Sequence, residues 1–64
     1  MLASVEFFRK EISTETEYNA FKDKTDSQKK EILKNCGFTL AQQSEILQNL
    51  IASSTYSDFI IFLD

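Results

Sequence analysis

Apolar residues recur at helical spacing in four stretches of this 64-residue chain, and a fifth stretch is apolar without a period. Leu2, Val5, Phe8 and Ile12 lie three and four residues apart, with Phe7 widening the stripe and Glu6, Arg9, Lys10 and Glu11 opposite, which predicts an amphipathic helix ending near Ile12. Tyr18 and Phe21 stand one turn apart in a short helix predicted over 15–23. Ile32, Leu33 and Cys36 form the stripe of a third helix, over 26–36. A fourth helix over 40–52 presents Leu40, Leu47, Leu50 and Ile51, with Ile46 at the edge and Gln42, Gln43, Glu45, Gln48 and Asn49 elsewhere.

The chain has no proline and one glycine, so helix ends must be found from capping chemistry. "TETE" at 14–17, "TDSQ" at 25–28 and "TLAQ" at 39–42 fit the capping box, in which a Thr hydroxyl accepts the N3 amide and the N3 side chain returns the bond. Gly37 follows the third helix where a left-handed residue closes a helix, and Phe38 supplies the apolar contact of such a cap.

The tail "YSDFIIFLD" is the aperiodic stretch. It suits either a short strand, which needs a partner from another chain, or a helical turn capped by Ser57. Five consecutive apolar residues cannot all face one small core. Phe59, Ile60, Ile61, Phe62 and Leu63 are therefore the candidate partner-binding residues.

A chain of this length makes one small domain of modest stability, or one that borrows stability from a second copy as a homodimer. We divide it into a helical domain, 1–52, and an apolar tail, 53–64. The expected fold is all-α, a bundle of three or four short helices with Phe8, Ile12, Phe21, Leu33, Cys36, Phe38, Leu47 and Ile51 as core.

Net charge is −3, unevenly spread: residues 22–34 carry net +2 through Lys22, Lys24, Lys29, Lys30 and Lys34, and residues 35–64 carry only Glu45, Asp58 and Asp64. No aromatic interleaves the lysines, so nucleic-acid binding is not expected, and the cluster is a solvated helix face. The longest apolar run is five residues against the ~20 that a membrane helix requires. A single cysteine and the absence of a secretory leader pattern point to a cytoplasmic setting.

With no histidine and one cysteine, the chain has no ordinary zinc ligand set and no imidazole base. Cys36 falls at a helix C-terminus, where the dipole opposes a thiolate, and counts as a small hydrophobe. No carboxylate pair, calcium loop or phosphate cradle is present. We expect no enzyme, no metal and no cofactor.

"VEFFRKEI", "YNAFKD" and "KKEILKNCGFTLAQQSEIL" together, covering residues 5–50, resemble the nif-eleven-type leader peptides, a nitrogen-fixation-associated family at the front of ribosomally made, enzyme-modified peptides. Phe7-Phe8, then Tyr18 and Phe21, then Ile32, Leu33, Cys36, Gly37, Phe38 and Leu40 match its features in turn. Two departures stand out: Ala41-Gln42-Gln43 replaces the usual Ser or Thr followed by acids, and Ala52-Ser53-Ser54 stands where a double-glycine cleavage site is common. The resemblance implies a leader-like recognition domain docked by a peptide-modifying enzyme, with Ser53, Ser54, Thr55 and Ser57 as candidate hydroxyls for modification. The alternative from charge and size is a small acidic inhibitor or immunity-like protein that blocks a macromolecular partner.

Overall fold

Five helices follow one another in the computed structural model, which describes residues 3–64: α1 (Ala3–Glu11), α2 (Glu15–Lys22), α3 (Asp26–Asn35), α4 (Leu40–Ala52) and α5 (Tyr56–Leu63). The fold is all-α, and no strand occurs among the described residues. Four helices correspond to the four periodic stretches, and the fifth is the tail. Leu2, assigned to the first apolar stripe, lies outside the described residues.

Four of the helices begin at a threonine whose side chain accepts the N3 amide: Thr14, Thr25, Thr39 and Thr55. The boxes at Thr25–Gln28 and Thr39–Gln42 are reciprocal, with the glutamine oxygens 3.1 and 2.9 Å from the threonine amides. The expected box at 14–17 is one-sided. Glu17 turns to the hydroxyls of Ser13 and Thr14 rather than to the Thr14 amide. Each cap satisfies an amide that the helix itself leaves without a partner.

The corner between α3 and α4 closes as its residues dictate. Gly37 has φ +101°, open to a residue without Cβ. The Phe38 amide reaches back to the Leu33 carbonyl at 3.2 Å, and the Gly37 amide to that of Lys34 at 2.9 Å. These are the two bonds of a Schellman motif. Gly37 also lies against α1, where a Cβ would meet Ser4 Oγ at 3.0 Å.

Phe8 is the hub of the core. Its ring is edge-on to those of Phe21, Phe38 and Phe59, at centroid distances of 5.1, 6.1 and 6.1 Å. It thereby joins α1 to α2, to the α3–α4 corner and to α5, in the geometry that the ring quadrupoles favour. Val5, Ile12, Tyr18, Leu33, Ile46, Leu50 and Leu63 complete the cluster.

Of the expected core, Phe8, Ile12, Phe21, Leu33 and Phe38 are buried, and Cys36 and Leu47 are partly buried against them. Ile51 is not core: it is 84% exposed. The face of α4 turned inward is Gln43, Ile46 and Leu50, which leaves Ile51 about a quarter turn away. Gln43 holds that register, because its Nε2 donates to the Phe38 carbonyl at 3.0 Å in a buried bond. The division into a domain 1–52 and a separate tail does not match this packing, since Phe59 and Leu63 lie in the same cluster as Phe8.

Candidate functional site

The tail is a helix because Thr55 starts it. The Thr55 hydroxyl accepts the Asp58 amide at 3.1 Å, and Asp58 in the first turn suits the positive end of the helix dipole. Ser57, expected as the cap, is instead inside α5. The Tyr56 hydroxyl donates to the Ile12 carbonyl at the end of α1. Arg9 pairs with Asp64 at 2.8 Å, tying the same two helices at the surface.

Helical geometry then sorts the five candidate partner residues. Phe59 is fully buried and Leu63 nearly so, and neither is available to a partner in this fold. They stand one turn apart, so both point inward, where Phe59 fills the space between Phe8 and Tyr18. Ile60 and Phe62 are half-buried, and Ile61 is 72% exposed on the opposite side. Beside Phe62 is an open hollow of about 180 Å³, lined also by Val5, Phe38, Ile46, Gln42 and Glu45. The reachable surface of the tail is thus Ile61 with the edges of Ile60 and Phe62.

Other apolar side chains face outward as well. Phe7 is 58% exposed, with the Lys10 ammonium 5.5 Å from its ring centre, and Leu40 is 81% exposed. Leu40 and Ile51, grouped with the core stripe of α4 in the sequence, form a second stripe beside it. Their 4-3-4 spacing through Ser44 and Leu47 is the signal that distinguishes it.

Cys36 lines an open groove of about 360 Å³ between α1 and α3, with Phe7, Lys10, Glu11, Ile32, Asn35 and Gly37. Burial pushes its thiol pKa up, and the negative charge of Glu11 pushes it further the same way. The thiol therefore stays protonated at neutral pH, as expected of a packing residue. Among the described residues, no group of three or more metal-ligating side chains comes together, and no helix is long and apolar enough to cross a membrane.

Two of the candidate hydroxyls already have structural work. Ser53 donates to the Asn49 carbonyl at 2.7 Å, and Thr55 caps α5. Ser54 and Ser57 are exposed. Comparison with known proteins gives no match: no family model, no curated protein and no solved structure corresponds to this chain.

Proposed function

We propose that the chain is a non-catalytic recognition domain, leader-like in its plan, that a peptide-modifying enzyme docks in the cytoplasm. Ile61 carries the proposal: an isoleucine 72% exposed on a helix whose other face is core offers apolar area to a partner without unfolding the domain. Ile60 and Phe62 border it and widen the contact. Asp58 and Asp64, three residues before and after it, are the acidic residues nearest to it along the chain.

The test is binding of the purified chain to a peptide-modifying enzyme of the same genome, followed by fluorescence anisotropy. Ile61→Ser should weaken binding about tenfold or more, as expected for an interface anchor, and leave the far-UV circular dichroism unchanged. Undiminished binding by that variant refutes the assignment. In coexpression, an added or lost mass confined to Ser54 or Ser57 supports processing at the tail, and an unchanged mass removes it.

A second reading, an acidic inhibitor of a macromolecular partner, is favoured by one observation: every charge from residue 35 onward is negative. An association that weakens steeply with added salt would select it over docking through Ile61.

A further inference from the structure

Beyond any enzyme that docks on α5, we infer that the chain pairs with a second copy of itself through the outward seam of α4, formed by Leu40, Ser44, Leu47 and Ile51. The two α4 helices run antiparallel about a two-fold axis.

The spacing is the first support. Steps of four, three and four place these residues at successive d, a, d and a positions of a heptad, the seam along which helices pair. Leu40 and Ile51, at its two ends, are 81% and 84% exposed, the most exposed of the large apolar residues described. Ser44 is exposed between them, and Leu47 is half-buried where this seam meets the core face.

Charge narrows the occupant. Of the 13 residues of α4 only Glu45 is charged, and it lies off the seam, while Ala41 and Gln48, which flank the seam on its solvent side, are neutral. A basic partner finds no acidic row here. An anionic membrane finds no Lys or Arg on the helix. A second α4 meets a surface of its own chemistry, and two chains of net charge −3 approach through a seam that carries no charged side chain.

The order of side chains selects the antiparallel arrangement. The seam reads large, small, large, large, and reversal about its midpoint sets Leu40 against Ile51 of the second copy and Ser44 against its Leu47. Small then meets large throughout the middle. A parallel pair would instead set Ser44 against Ser44 and leave a gap between the two leucine layers.

Sedimentation equilibrium on the full chain tests this. The interface is below standard size, so the weight-average mass should climb from monomer toward dimer between about 10 µM and about 1 mM. Added salt should strengthen pairing by screening the net charge. The double variant Leu40→Gln, Ile51→Gln should remain monomeric over that range with unchanged helicity. A wild-type chain that is monomeric at 1 mM, or a double variant that associates like wild type, overturns the inference. Orientation is tested by mixing Leu40→Cys and Ile51→Cys chains, each with Cys36→Ser, under mild oxidation. The 40–51 disulfide should dominate, and dominant 40–40 links would overturn the antiparallel arrangement.

Discussion

α4 and α5 pack side by side and treat their apolar residues in opposite ways. α5 has six apolar residues in eight, counting Tyr56, and sets only Ile61 well into solvent. α4 is longer and more polar, yet it exposes Leu40 and Ile51 almost fully while burying Gln43. Apolar content therefore does not decide which helix presents an apolar surface. α5 is held on three sides: Phe59 is wedged between Phe8 and Tyr18, Tyr56 is bonded to the end of α1, and Arg9 pairs with Asp64. α4 is held by Ile46 and Leu50 in the core and by one buried polar bond on the same face, from Gln43 to the Phe38 carbonyl, and its second apolar stripe faces outward.

The contrast is broken most severely at Phe59. Phe59→Ala removes a fully buried ring from the core and should cost about 3–5 kcal/mol, as much as a domain of this size has to lose. Thermal melting should show a chain largely unfolded at 37 °C, and a cooperative transition near that of wild type would mean that α5 is an appendage.

Gln43→Met tests the other side. It keeps volume but orphans the Phe38 carbonyl, and should cost about 1–2 kcal/mol in urea denaturation. If α4 is free to rotate once that bond is lost, the fluorescence of a dye that binds exposed apolar surface will change with it. A cost near zero would show that the rotation of α4 is set by Ile46 and Leu50 alone.

The smallest effect is a gain. Tyr18 is 2% exposed, and its hydroxyl has no hydrogen-bond partner among the described residues, although its ring packs on Tyr56 and Phe59. Tyr18→Phe should stabilise the chain by about 1 kcal/mol, read as a higher urea midpoint. A loss instead would place a bonded water at that oxygen.

Helix ends were legible because their causes are local. Thr25 with Gln28, Thr39 with Gln42, and Gly37 with Phe38 each act within a few residues, and each stands where the sequence predicted it. Thr55 with Asp58 is the same local chemistry, two residues before the Ser57 that the helical alternative for the tail named as its cap. The rotation of α4 was hidden for a different reason. Two apolar stripes lie side by side and share Leu47, and the inward one, with Ile46 and Leu50, also carries Gln43, a side chain that reads as polar. The candidate site divided likewise: the apolar run showed that 59–63 could not all face the core but not which of the five turn outward, because the inward turn of Phe59 and Leu63 depends on rings and carbonyls some forty to fifty residues earlier.

The position of Phe8 bears on how the chain is made. Its four-ring cluster draws on residue 8, residue 21, residue 38 and residue 59, so the first helix emerges from a ribosome long before the last ring that covers it. Until α5 has been synthesised, one side of Phe8 has nothing to lie against. The nascent chain can form the capped α3–α4 corner early, from neighbours alone. Its core must wait for the eight-residue α5, which supplies the ring that closes the cluster.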